Sequence, residues 1–310
     1  MPEHPHDHHH GHKDLHHHHV PRPGAMRAFA LGVVLNMVFV IVEWVFGMLS
    51  GSLALIADAT HNFSDVLGLL LAWGAAALAR RPPSARFTYG LGGSTILAAL
   101  ANAMLLLVAI GGIAWEAIQR ITAPAPVDAS TVIAVALFGV LINAATAWLF
   151  LAGGRKDLNM RGAYLHMAAD AGVSLGVAVA GFGMLLTGWR WLDPVVSLLV
   201  VIVIFAGSWG LLRDALKMAL QAAPETVDTV GVRNYLAALP GVSEVHDLHI
   251  WAMSTTENAM TAHLVMPGGH PGDDFFADVV NHIEHRFEIG HVTIQIETGR
   301  ACALAPDHVV

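Results

Sequence analysis

Of 310 residues, 55% are hydrophobic and only 13% are charged, about half the charged share of an ordinary soluble domain. That balance excludes an ordinary soluble domain and points to a membrane protein. Net charge is −8, but the sum mixes aqueous and membrane parts and carries little by itself. Cys302 is the only cysteine, which excludes an internal disulfide framework and a thiolate metal cluster.

The chain opens on residues 1–24, a low-complexity polar stretch holding ten of the twenty histidines within its first nineteen positions. It has no apolar periodicity and no apolar core of a cleaved signal peptide, so it is expected to be a disordered cytosolic tail. Histidine-rich tracts bind divalent metal loosely through interchangeable imidazoles. A purification tag is the alternative origin; the irregular spacers and a longest run of four histidines favour a native tract.

Six apolar runs follow, over 28–49, 53–78, 96–118, 131–152, 164–186 and 195–212. Each is near the twenty residues a helix needs to cross about 30 Å of hydrocarbon. Gly51-Ser52, Pro82-Pro83, Pro124 with Pro126, Gly153-Gly154 and Asp193-Pro194 separate them. Basic residues sort to one side: Arg80, Arg81 and Arg86; Arg155, Lys156 and Arg161; Arg213 and Lys217; and Lys13, Arg22 and Arg27 before the first run. The opposite loops hold Arg120 and Arg190. Both termini are therefore expected in the cytosol.

Beyond Pro224 the composition becomes that of a small soluble domain. A helix is expected over 227–239, strands over 244–253 and 258–266, a helix over 273–287 and a strand over 291–298. That order, αββαβ, suggests a ferredoxin-like unit with one sheet face free for a partner. The expected division is a tail (1–24), a six-helix transmembrane domain (25–218), a cytosolic metal-binding and dimerisation domain (219–300) and a flexible tail (301–310).

Two stretches inside the apolar runs carry chemistry. His61 and Asp65 are four residues apart, as are His166 and Asp170; on a helix each pair shares a face. Ionisable groups at bilayer depth are costly and mark ion or substrate paths. A single pair is explained as well by a helix-packing hydrogen bond. Two matched pairs facing each other supply two imidazole nitrogens and two carboxylate oxygens, a shell suited to zinc. Its charge of −2 cancels that of Zn²⁺, and once empty it attracts protons, so metal and protons compete for the same lone pairs. Asp58, three residues before His61, is expected to position a ligand rather than bind metal, because Ala163 stands at the matching place before His166. Asn36, Glu43 and Asn143 are expected in interhelical hydrogen bonds.

These residues resemble the cation diffusion facilitator family, in its zinc-transporting branch. The likeness runs from Arg27 to Arg300. It rests on Ser52-Leu53-Ala54-Leu55-Ile56-Ala57-Asp58-Ala59-Thr60-His61 continuing to Asp65, on His166 with Asp170, on Tyr89-Gly90, on His246-Asp247-Leu248-His249-Ile250-Trp251, and on Thr293-Ile294-Gln295-Ile296-Glu297. The resemblance implies a homodimeric antiporter in a lipid bilayer, a bacterial inner membrane, exchanging cytosolic Zn²⁺ for protons at His61, Asp65, His166 and Asp170. It also implies regulatory zinc in the cytosolic domain at His246, His263 and Glu297, with His291 one residue out of register with a ligand of some relatives. Strand parity alone makes His246 equally a core histidine, and His249, His282 and His285 are expected to face solvent. No nucleic-acid partner is expected. The chain departs from the family in having Gly93 and Thr95 where charged residues often follow Tyr-Gly, and in a second-to-third loop without His or Asp, so the additional metal site some bacterial members carry there is expected to be absent.

Two other classes compete with a transporter. An intramembrane metalloenzyme is disfavoured because HExxH is missing and a four-ligand shell leaves no position for an activated water. A non-transporting metal sensor would rely on the tail and the cytosolic domain. Among transporters, a cobalt, nickel or cadmium exporter is the nearest alternative.

Overall fold

The computed structural model describes residues 23–153 and 158–299. The first 22 residues of the histidine-rich stretch, Cys302 and the rest of 300–310 lie outside them. Six long helices come first: α1 (Pro23–Ser50), α2 (Leu53–Ala79), α3 (Ser94–Thr122), α4 (Ala129–Gly153), α5 (Leu158–Thr187) and α6 (Leu192–Ala219). A C-terminal α/β unit follows: α7 (Thr229–Ala237), β1 (Glu244–Ala252), β2 (Asn258–Val265), α8 (Asp273–Phe287) and β3 (His291–Glu297).

Five of the six helices run past the apolar runs at both ends, while α2 starts at Leu53 as expected and ends one residue later, at Ala79. α6 starts before Pro194, which is tolerated because a first-turn N–H has no helical partner to lose. α1 and α2 part at Gly51, whose φ of +71° suits a residue without Cβ. Ser52 then caps α2 by accepting from Leu55 N at 3.3 Å. Asp128 starts α4 in the same way, accepting from Ser130 N at 3.1 Å and from the Thr131 hydroxyl at 2.6 Å. Those donors hold its carboxyl down at about 2.

Among the described residues α2 to α6 are long and apolar enough to cross a membrane, and α1 is apolar over Val34–Ser50. Large apolar side chains such as Trp73, Val108, Trp115, Trp148 and Leu186 point outward, as a surface against lipid requires. Inside, α4 packs along α5 and along α1, α3 along α6, and α2 against α1, α3 and α6. Leu55, Ile110, Val132, Val177 and Ile204 fill the centre between buried Ala54, Ala57, Ala136 and Ala178, small residues that let backbones approach. Gly139 shows how closely: a Cβ there would stand 2.5 Å from Phe39 Cζ.

In the C-terminal unit the sheet order is β1-β2-β3. β1 pairs antiparallel with β2, and α8 carries the chain across so that β3 runs parallel to β2. Val232, Leu236, Met260, Leu264, Ile283 and Ile289 form its core. The αββαβ order expected from the sequence is the observed one. The regular alternation expected along β1 is not: the register slips between His246 and His249, and Asp247 takes a φ of +49°.

The unit docks on the segment joining α2 to α3 and on the first turn of α3. Thr255 N donates to Thr95 Oγ1 at 3.0 Å, and the Tyr89 and His291 rings meet edge to face at 5.4 Å. The Arg-rich turn after α2 thus lies on the side of the bundle that holds the C-terminal unit.

Candidate metal centre

α2 and α5 bring the side chains of their histidines and aspartates together. His166 Nε2 is 2.9 Å from Asp65 Oδ2. His61 Nε2 is 3.7 Å from Asp65 Oδ2 and 3.6 Å from Asp170 Oδ1, and His166 Nε2 is 3.6 Å from Asp170 Oδ2. The imidazoles meet edge to face with centroids 5.8 Å apart. Ligand atoms of His61, His166 and Asp170 all lie within 4.8 Å of one another. Asp65 falls outside that tightest set while touching both rings, so the four expected side chains do converge.

The donor set fits a divalent ion. Asp170 is buried, and its Oδ2 has no hydrogen-bond partner, nor does His61 Nδ1. Buried acceptors left without donors are costly; a cation supplies what Asp170 Oδ2 lacks. A cavity of about 810 Å³ runs from Ser254–Glu257, the β1–β2 turn, between α2 and α3 to Asp65 and His166. Beyond them Asp58, Glu43 and Leu55 are sealed. The centre therefore opens toward the C-terminal unit.

Asp58 is turned toward α5, where Ser174 Oγ donates to its Oδ2 at 3.0 Å. Ser174 is one turn beyond Asp170, so Asp58 bonds the helix that carries Asp170 rather than Asp170 itself. Further out, Asp193 at the start of α6 clamps α2. It accepts from Ser52 Oγ at 2.5 Å and Leu53 N at 2.9 Å. Arg120 of α3 donates to Gly51 O at 2.7 Å. Sequence reading missed this outer clamp, whose partners are 140 residues apart.

A second cluster lies in the C-terminal unit. His246 Nε2 and His263 Nδ1 each stand 3.1 Å from a Glu297 oxygen, and the three offer ligand atoms within 4.8 Å of one another. His246 and His263 are cross-strand partners, and Glu297 closes β3 beside Val265. His246 is thus part of a polar cluster, not a plain core histidine. His291 is placed elsewhere: six residues along an extended strand is about 20 Å, and it packs on Tyr89. Asp247, which sequence reading did not single out, joins instead, with Oδ2 3.3 Å from His263 Nε2 and Oδ1 2.9 Å from His249 Nε2. His249 was expected to face solvent; the β1 bulge turns it to Asp247. Of the remaining histidines, His282 stacks on Tyr235 at 4.1 Å, and His285 Nδ1 lies 2.9 Å from Asn281 O.

Residues 29–219 match the family model for the cation efflux transmembrane domain, and residues 224–299 match that for the cation efflux protein cytoplasmic domain. The chain belongs to the cation diffusion facilitator family, in its zinc-transporter branch. Zinc transporter ZitB of Escherichia coli is 37% identical over 283 residues, 90% of each chain. Metal cation efflux system protein CzcD of Cupriavidus metallidurans is 34% identical over 88% of this chain and 87% of that one. A cadmium, cobalt and zinc/H(+)-K(+) antiporter of Bacillus subtilis is 33% identical over 84% of this chain and 85% of that one. Among solved structures, the metal-bound C-terminal domain of the C. metallidurans CzcD transporter aligns at 36% identity over 23% of this chain and 99% of that one, with a TM-score of 0.22. This cation diffusion facilitator is accordingly an integral membrane transporter of metal cations, with a small cytosolic α/β domain.

Proposed function

We propose that this facilitator exports Zn²⁺ from the cytosol in exchange for protons, by alternating access around His61, Asp65, His166 and Asp170. The observation that carries the reading is the convergence of those four side chains from α2 and α5 at the closed end of a cavity that opens toward the cytosolic domain. Two neutral imidazoles and two carboxylates cancel the ion's charge, which lowers the desolvation cost of changing sides. The emptied shell takes up protons, so the same lone pairs serve both cargoes.

Coupling is required by the electrical cost. Moving a divalent cation outward against 100 mV costs about 4.6 kcal/mol, and exchange for one proton halves it. The name of the B. subtilis relative, an H(+)-K(+) antiporter, agrees with exchange.

The protein works as a homodimer in a bacterial inner membrane, joined through its cytosolic domains, with both termini in the cytosol. The basic loops and the docking of the cytosolic domain beside the α2–α3 segment support that orientation. His246, His263 and Glu297 hold a regulatory zinc, for which two nitrogens and a buried carboxylate form a fitting donor set.

The test is flux in sealed vesicles. With an imposed proton gradient of opposite direction, Zn²⁺ accumulates above its equilibrium level and protons move the other way. Zinc binding without flux would instead mark a sensor. A cadmium or cobalt cargo is the second reading, favoured by the nitrogen-rich shell and by the relatives named for those metals; competition among metals in the same vesicles ranks them.

A further inference from the structure

Two acidic side chains lie fully inside the bundle and outside the proposed metal shell. Glu43 of α1 is 0% exposed and Asp58 of α2 is 1% exposed. Asp193, equally buried, is satisfied by Ser52 and the α2 N-terminus. Glu43 is not: neither carboxyl oxygen meets an N–H or O–H donor. Asp58 has Ser174 on Oδ2 and nothing on Oδ1.

α1 packs along α2, and there the Glu43 and Asp58 carboxyl groups interact with each other, with the Asn62 side chain beside Glu43. As two carboxylates they would be four acceptors facing only the Ser174 hydroxyl and the Asn62 amide as donors. Around them, α2 presents His61 to Asp58, α5 presents Asp170 to both, and α4 has no titratable side chain. Among the described residues the lysines and arginines that form ion pairs do so elsewhere, Arg120 with Glu116, Arg213 with Asp214 and Lys217 with Glu225. Two contacting buried carboxylates without a cation cannot both stay ionised. A proton between them turns one acceptor into a donor and satisfies the pair.

We propose that Glu43 and Asp58 form a proton-binding site, distinct from the metal shell, that holds one proton while the shell is empty and releases it when a divalent cation fills the shell. The inference rests on the exporter reading and adds to it a proton carrier outside the ligands. Its sign follows from charge. A dication in the shell adds positive charge beside the pair, which favours the ionised form of both carboxyls and lets the proton leave. The physical link is short: Asp170 and Ser174 are successive turns of α5, and Ser174 donates to Asp58.

The experiment counts protons released when Zn²⁺ is added to the purified full-length protein in weakly buffered detergent solution. The tail and cytosolic histidines release the same number in wild type and variant, so they cancel in the difference. Glu43→Gln, an isosteric change, is expected to bind zinc with unchanged stoichiometry and to release about one proton fewer per intramembrane zinc. Asp58→Asn is expected to lose the same proton, and the double variant no more than either. In vesicles the pH dependence of zinc flux by Glu43→Gln flattens. Equal proton counts in wild type and both variants would overturn the proposal. Infrared difference spectra of the wild type give an independent readout that needs no variant. A protonated carboxyl band disappears on adding Zn²⁺, and its absence from the metal-free protein would likewise overturn the pair. Lack of gradient-driven flux by the wild type would instead sink the exporter reading, while the proton count on solubilised protein still reports on the pair.

Discussion

His166 Nε2 lies 2.9 Å from Asp65 Oδ2, the shortest of the contacts by which α5 reaches α2. It joins one member of each His/Asp pair, so the two helices share one shell rather than carrying two separate hydrogen-bonded pairs. The cavity from the β1–β2 turn reaches these two residues, with Asp170 buried behind them. In the proposed exporter a cation arriving from the cytosol meets Asp65 and His166 before His61 and Asp170.

Removing either carboxylate leaves a loaded shell with an uncompensated positive charge in a buried position. Asp65→Ala and Asp170→Ala are each expected to reduce zinc flux in vesicles to background, while size-exclusion profiles remain those of the folded wild type. Near-normal flux in either variant counts directly against the shared shell.

The sign of the pH dependence follows from competition. In the proposed shell His61 and His166 hold metal only as neutral imidazoles. As pH falls, protons compete with metal for those nitrogens, and apparent zinc affinity is expected to drop about tenfold per pH unit for each proton exchanged. Equilibrium zinc titrations between mildly acid and mildly alkaline pH measure the slope; a flat profile contradicts exchange at the shell.

Much of this shell was legible in the sequence, and the reason is local. His61 with Asp65, and His166 with Asp170, are each one helical turn apart inside an apolar run, so spacing alone fixes their shared face. What it could not fix was set by partners far along the chain. Asp193 clamps α2 from 140 residues away, and Glu43 finds Asp58 only because α1 packs beside α2. In the cytosolic domain strand parity misled. A bulge at Asp247 breaks the alternation of β1 and brings Asp247 and His249 into contact with the His263 cluster, while the length of β3 separates His291 from Glu297.

The outer clamp is a stability element. Asp193→Ala leaves the Ser52 hydroxyl and the Leu53 amide without their buried acceptor. Losing charge-assisted bonds of this kind costs about 2–4 kcal/mol. Thermal unfolding of the purified protein is expected to show a lower midpoint for Asp193→Ala, with a smaller loss for Ser52→Ala. An unchanged midpoint would mean the α2–α6 junction is held by other contacts.

In the cytosolic domain His263 sits between Glu297 and Asp247. His263→Ala is expected to lower bound zinc by one ion per chain, measured by metal analysis after dialysis, while flux persists with altered apparent affinity. Complete loss of flux would move this cluster from regulation into the transport path.

Residues 4–19 are expected to act as a loose metal store. Their deletion is expected to shift the apparent affinity for zinc and leave the maximal flux unchanged, as read from the concentration dependence of vesicle uptake. A fall in maximal flux would assign the histidine-rich stretch a direct part in delivery.

X-ray absorption at the zinc edge tests the central claim most directly, using a variant in which His246→Ala, His263→Ala and deletion of residues 4–19 remove the competing ligands. A single remaining zinc with four nitrogen and oxygen neighbours at about 2.0–2.2 Å, two of them imidazole, is the predicted result. A water-rich six-coordinate ion, or zinc retained undiminished after Asp170→Ala, would contradict it.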